Sequence, residues 1–472
     1  MISRKHSFLA FVLAFSMTTV GCRNSERNLP LDDSSFVVTE TLPEMTDAPS
    51  VTTVASVSTT AKMTFIHTTE TVVTTVPTTT ILTTTSTVPV TEPPFVADYL
   101  PSGVTLKFAP TVEVYRELTL GDLVTESNVQ LQNADTVLDT ETLGEHITEV
   151  VYLHDNQPIT QKLNYQVLDT TKPFLLNSGS NVTHRLGKAF DINNYVGVAD
   201  NCDDHPKISY TGNLDVNTVG TYPLTVTAAD ASGNSYVWNI KVNVKEASSS
   251  SGGSSTSTHI PFADFKAQYG SEDTALGIDV SRWQDAIDFN AVKAAGCEFV
   301  IMRIASQRDN EVSKDIRFDR FFADAKKAGL KVGVYIYSTA YNETMLHEAT
   351  AFVNEALHGE QLDFPVIFDW EDFTNYQKYG ISQHGLNRLF DLFVSDMRGY
   401  GYDGMLYSSK FYLQSFWLNP QKYHPVWLAH YTSQTDYEGS YAIWQRCAVG
   451  RIDGIAGDVD FDVFYKNRGL PF

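Results

Sequence analysis

From Gly277 onward, short apolar strands alternate with helical stretches, and nothing else in the sequence narrows the fold so far. Gly277-Ile278-Asp279-Val280-Ser281 reads as a strand presenting Asp279. A helical stretch over Phe289 to Ala295 stops at Gly296, and Phe299 to Arg303 is the next strand. A helix over Asp319 to Ala328 stops at Gly329, before a strand from Lys331 to Tyr337. The helix Glu343 to Ala356 leads to the strand Phe364 to Phe368, and the helix Leu386 to Met397 to the strand Gly404 to Tyr407. Such βα units imply a parallel sheet covered by helices, and five in series favour a barrel.

Polar or aromatic strand ends fall at Asp279, Arg303, Tyr337, Asp369 and Tyr407, then at Trp427 and Trp444. The early gaps are 24, 34, 32 and 38 residues, whereas the last two are 20 and 17. The short gaps leave little room for a full crossover helix, so the barrel is expected to close with bare strands. In barrels of this kind, reactive groups stand at the C-terminal strand ends. The sharpest local signal there is Phe368-Asp369-Trp370-Glu371-Asp372. Two apart on a strand end, Asp369 and Glu371 share a face. Paired carboxylates suit glycoside hydrolysis, in which one acid stays protonated to donate to the leaving oxygen and the other stays ionised near developing positive charge. Arg303 is placed to hold a groove carboxylate.

Several blocks in this region, in order, resemble the glycoside hydrolase family 25 lysozymes. They are Gly277-Ile278-Asp279-Val280-Ser281-x-Trp283-Gln284, Ala328-Gly329-Leu330-Lys331-Val332-Gly333 and Phe368-Asp369-Trp370-Glu371. Trp427-Leu428-Ala429-His430-Tyr431, Ile443-Trp444-Gln445 and Gly457-Asp458-Val459-Asp460-Phe461-Asp462 complete the set. The resemblance implies a (β/α)5(β)3 barrel and an N-acetylmuramidase cutting the β-1,4 bond after N-acetylmuramic acid in peptidoglycan. It implies Glu371 as general acid and then base, Asp369 as support for the 2-acetamido group, and Asp279 and Asp460 as the rest of the acidic cluster. Tyr337, Tyr407, Trp427 and Tyr431 are expected as sugar platforms, with Arg303 among the substrate-binding residues. Retention through acetamido assistance fits the family; the two-residue spacing alone settles neither retention nor inversion. Three departures stand out: Ile336 where a His is frequent, Arg446-Cys447 after Trp444-Gln445, and Asp462 at a common Asn position. A chitinase-like or N-acetylglucosaminidase barrel, a non-catalytic wall-binding protein and a surface adhesin remain alternatives.

Ahead of the barrel lies a long arm. Arg4 and Lys5 precede an apolar run from Phe8 to Val20, a secretory pattern over residues 1–21. Thr19-Val20-Gly21-Cys22 resembles a bacterial lipobox, which implies Cys22 as an acylated anchor; free secretion to the wall is the other reading. Residues 22–94 are a Thr-rich, low-complexity stalk without amphipathic period, expected to be disordered and extended. Leu138-Asp139-Thr140-Glu141-Thr142-Leu143-Gly144 recurs as Leu214-Asp215-Val216-Asn217-Thr218-Val219-Gly220. An alternating strand, a turn and a second strand follow each copy, so 95–172 and 173–246 are expected as two β-sandwich immunoglobulin-like modules. The second, with Asp200-Asn201-Cys202-Asp203 and Asp230-Ala231-Ser232-Gly233-Asn234, resembles bacterial surface modules more closely. Its acids Asp200, Asp203 and Asp204 could hold calcium, but read in preference as a solvated turn. A Ser/Gly linker is expected over 247–274 and the catalytic domain over 275–472.

The chain carries 34 basic and 56 acidic residues, and no Lys/Arg cluster, which argues against a nucleic-acid partner. Residues 275–472 hold 19 basic and 26 acidic residues, net −7, so most of the acidity belongs to the arm. With four cysteines there is no disulfide scaffold, and Cys297 and Cys447 are expected as free, buried thiols. CxxC and HExxH are absent, so neither a metal nor a cofactor is expected. The expected partner is the peptidoglycan glycan strand, the only membrane link is a lipid at the N-terminus, and the chain is expected to be a monomer.

Overall fold

A computed structural model describes residues 100–177, 180–246, 258–308, 310–422 and 424–470. The expected signal segment, Cys22, the stalk and the Ser/Gly stretch at 247–257 lie outside the described residues. Residues from Pro93 onward belong to one compact unit.

Eight strands make a closed ring: β1 (Thr274–Val280), β2 (Phe299–Arg308), β3 (Lys331–Tyr337), β4 (Val366–Asp369), β5 (Gly404–Ser409), β6 (Val426–Ala429), β7 (Ile443–Arg451) and β8 (Val459–Tyr465). Neighbours from β1 to β7 pair in parallel, and β8 is antiparallel to both β7 and β1, which closes the barrel-like sheet. Every residue of β1 and β4 is buried, as befits strands covered on both faces. Gly277 is required where β1 passes β2, because a Cβ there would lie 2.4 Å from the Phe299 ring. That ring is itself wedged against Phe364 and Phe464.

The crossovers are α1 (Phe289–Ala294), α2 (Phe318–Lys327), α3 (Glu343–Leu357), α4 (Gln383–Gly399) and α5 (Lys410–Ser415). Their limits follow local chemistry. Asp288, Asn342 and Ser382 cap the first turns of α1, α3 and α4 with side-chain oxygens. Gly329, at φ +75°, lets the chain leave α2. Helix α2 buries Phe318, Phe321, Phe322 and Ala325, the stripe a 3.6-residue period demands. The 20-residue gap expected to be bare holds the six-residue α5, whereas β7 and β8 follow without helices.

Two further departures concern the arm. Residues 258–274, expected as linker, belong to the barrel: Ile260–Pro261 pairs with β7, and the helix Phe262–Tyr269 buries Phe262 and Phe265 against Phe461. The two N-terminal modules have separate cores, one around Val150, Tyr152 and Leu163, the other around Val226, Ile240 and Val242. Each sequence repeat opens a long hairpin, Gly144–His154 with Gln157–Leu168 and Gly220–Ala229 with Ser235–Lys245. The first turns on Asp155 and Asn156, both at positive φ, which suits the twist of a tight hairpin. Cys297 and Cys447 are free and buried. Among the described residues no helix is long and apolar enough to cross a membrane.

The second module touches the barrel. Leu176 and Ala199 join the barrel's hydrophobic cluster, and Gln377 Nε2 donates to Val196 O and Val198 O. Gln377 lies on the 3-10 segment Phe373–Tyr379, immediately after Glu371, so the module braces the loop that leaves β4.

Candidate active site

Strand β4 delivers two acids to one side because the residue between them is claimed by the other. Trp370 is fully buried, its indole Nε1 donates to Ala340 O at 2.9 Å, and its ring meets Phe373 and Tyr379. Asp369 and Glu371 therefore share the opposite face, at the C-terminal end of the strand. Beside them, β1 presents Asp279, and the antiparallel register of β8 sets Asp460 directly opposite it. Asp462, two further along β8, lies on the same side and accepts from Trp427 Nε1 at 2.9 Å.

These carboxyls raise one another's proton affinity. Burial pushes Asp279 up to about 6, opposed by hydrogen bonds with Gln445 and Asp462. Burial pushes Glu371 up to about 7; its hydrogen bond with Asp369 opposes the rise, and the charge of Asp279 adds to it. Asp369 is held well above the usual carboxylate range by burial and by Glu371, with the Arg303 guanidinium opposing. Burial and Asp279 also raise Asp460 and Asp462 well above that range. Like charges crowded in a site of low dielectric keep protons to neutral pH. Asp369 and Glu371 titrate as a pair, and that pair can deliver a proton at neutral pH.

Polar neighbours fix the acids in place. Gln445 Nε2 donates to Asp279 Oδ2 at 2.8 Å, while its Oε1 accepts from Tyr407 at 2.8 Å and Tyr431 at 3.0 Å. Arg303 is buried, and its Nε and a terminal nitrogen both reach Asp315 Oδ2, at 2.9 and 2.8 Å. So engaged, it offers almost no surface to a sugar, contrary to its expected binding role; it lends positive potential to Asp369 instead.

The expected platforms divide. Tyr431 is 42% exposed at the rim, and Tyr337 is partly buried beside Asp369 and Glu371 with the Arg308 guanidinium 5.1 Å from its ring centre. Trp427 and Tyr407 do not present free faces. Trp427 is 2% exposed, and the two rings pack 4.6 Å apart inside the barrel. The reason is mutual packing: the two rings press on each other and Trp427 also meets Tyr335, while the Tyr407 hydroxyl is tied to Gln445 and the Trp427 indole to Asp462.

Four contributors carried no site assignment from sequence. Tyr335 lies among Arg303, Asp279, Asp369 and Asp460, which, with burial, shift its hydroxyl upward. It shares Tyr337's side of β3, so the period of two could have found it. Gln445 and Asp462 stood inside quoted blocks without an assigned role. Asp315 follows a short hairpin strand, Glu311–Lys314, that folds back on β2, and carried no local signal. Trp283, 53% exposed after β1, is a further ring available to a ligand.

Comparison with known proteins finds similarity over two parts of the chain. Residues 278–455 match the model for glycosyl hydrolases family 25, and residues 174–244 that for the bacterial surface protein, Ig-like domain. The autolytic lysozyme of Clostridium acetobutylicum is 30% identical over 189 residues, covering 40% of this chain and 55% of the relative. The chain thus spans little more than half of that protein's length. Lysozyme M1 of Streptomyces globisporus is 27% identical over 199 residues, 40% of this chain and 67% of the relative. Among solved structures, the lysozyme of Streptomyces coelicolor aligns with TM-score 0.34 and 23% identity, over 41% of this chain and 93% of its own.

Proposed function

We propose that the barrel, a glycosyl hydrolases family 25 domain lying C-terminal to an Ig-like domain, is an N-acetylmuramidase of (β/α)5(β)3 type. Its bond is the β-1,4 linkage from N-acetylmuramic acid to N-acetylglucosamine in peptidoglycan. The observation that carries this reading is the acid pair Asp369–Glu371 at the barrel mouth, with Glu371 raised to about 7. The likeness to an autolytic lysozyme supports it.

In this mechanism Glu371 gives its proton to the glycosidic oxygen as the bond to the anomeric carbon breaks. The substrate's own acetamido oxygen attacks that carbon from the opposite face, and Asp369 holds the acetamido N–H. Water, deprotonated by Glu371, then opens the cyclic intermediate with net retention. Asp279, ionised above about 6, favours positive charge at the anomeric centre, and Asp460 opposite it completes the acidic floor of the groove. Tyr337, Tyr431 and Trp283 supply the ring faces, and no metal or cofactor takes part.

The domain assignment that goes with this reading ends the linker near residue 257 and gives 258–274 to the barrel. A signal over 1–21, a lipid on Cys22 and the stalk at 22–94 would present the enzyme to the wall from the cell surface, as a monomer. Glu371→Gln should lower wall lysis by about 100- to 10,000-fold, with sedimentation on purified walls retained. Lysis at the wild-type rate would place the acid elsewhere.

A further inference from the structure

Asp169, Asp200 and Asp230 come together where three parts of the molecule meet. Asp169 follows the last strand of the first module; Asp200 and Asp230 stand on two turns of the second. One carboxylate oxygen from each lies within 4.8 Å of the others. That spacing is what oxygens about 2.4 Å from a shared cation would show. All three side chains are buried, Asp200 completely, which corrects the expectation of a solvated turn there. Asp200 Oδ2 and Asp230 Oδ2 are buried with no hydrogen-bond partner. Among the described residues, none of the three acids forms an ion pair with Lys, Arg or His. Orphaned buried carboxylate oxygens are costly, and a cation removes that cost.

The surrounding donors leave an opening of one polarity. Backbone N–H groups of Cys202 and Asp203 hold Asp200 Oδ1 at 2.9 and 2.8 Å, and that of Asn234 holds Asp230 Oδ1 at 2.8 Å. Thr171 N donates to Asp169 Oδ1 at 3.2 Å. The Asn201 amide nitrogen is placed to donate to Asp200 Oδ1 at 3.2 Å and Asp169 Oδ1 at 3.3 Å, so the donors gather on the Oδ1 atoms and leave Oδ2 of Asp200 and of Asp230 open. With no nitrogen or thiolate ligand in the cluster, the ligand chemistry selects calcium over zinc.

We propose that Asp169, Asp200 and Asp230 bind a calcium ion that locks the two N-terminal modules to each other and to the barrel. The backbone of this same loop supplies the barrel contact: Asp200 O accepts from Gln383 N at 2.7 Å, and Asn201 O from His384 N at 3.2 Å. Both donors sit in the first turn of α4. From the first module, Tyr115 stacks on His384 at 3.6 Å between ring centres. A cation fixing the 200–202 loop therefore stiffens the joint from both sides. The proposal does not depend on the barrel's activity.

The test is calorimetric titration of the full chain, stripped with chelator, with CaCl2 alone. One ion per chain is expected, with a dissociation constant of about 1 mM or tighter, the range of extracellular modules. Asp230→Asn keeps an oxygen for Asn234 N and should abolish uptake, whereas Glu371→Gln should bind as the wild type does. Hydrogen exchange on the wild type needs no variant: calcium should slow exchange in peptides covering 168–172, 199–204 and 229–235. The proposal is overturned by no uptake at millimolar calcium, by undiminished uptake in a folded Asp230→Asn chain, or by protection confined to other regions. In that event protons shared among the acids account for the cluster.

Discussion

Glu371 depends for its proton on burial and on two carboxyls, Asp369 beside it and Asp279 on β1, so its titration is the most sensitive residue-level readout. The ionised carboxylate of Asp279 raises Glu371, and removing that charge lowers it. Because the general acid must be protonated, activity falls as pH rises through about 7. In Asp279→Asn the alkaline limb of the kcat/KM profile should move to lower pH, besides any loss of rate; an unmoved limb would separate the two acids. The pairing of Asp369 with Glu371 is legible in the sequence because a strand alternates its side chains, and the Trp between them belongs to the core. Trp427 misled for a related reason: alternation tells which residues point inward, but not whether neighbouring rings and acids already cover them. Asp315 was invisible, since its partner Arg303 is reached through a hairpin that no local pattern announces.

At the level of elements, stop signals and periodicity located the first four crossovers to within a few residues. Gly296 and Gly329 take the positive φ at which α1 and α2 are left. The helix Phe262–Tyr269 escaped because it follows a Ser/Gly stretch directly and offers only eight residues of pattern. The tightest strand-to-strand constraint is Gly277. Gly277→Ala would press a methyl against a Phe299 ring that Phe364 and Phe464 hold in place. A loss of about 1–3 kcal/mol is expected in denaturant unfolding, with m unchanged; a neutral substitution would mean that the ring can yield.

For the whole molecule, the second immunoglobulin-like module packs on the barrel beside the loop that follows Glu371, and the first reaches α4 through Tyr115 on His384. Sequence could show the repeats but not the docking, because the contact surface is divided among Leu176, Ala199 and a loop far along the chain. Burial also gives stability a pH dependence. Asp200 and Asp279 are raised to about 6 and Glu371 to about 7, above the value of about 4 for a carboxyl in an unfolded chain. The folded state then binds more protons between pH 4 and 7, so this stability is complete below about 4 and is lost as pH rises through 6 to 7. Chelated protein should therefore melt at a higher temperature at pH 5 than at pH 7.5; the opposite order would mean that these acids are ionised and paired in the fold. The account's central claim is that the full chain cuts peptidoglycan on the reducing side of N-acetylmuramic acid. Purified walls digested by the full chain, reduced with borohydride and hydrolysed, should yield new muramitol in proportion to lysis, and none with Glu371→Gln. New glucosaminitol in its place would contradict the assignment.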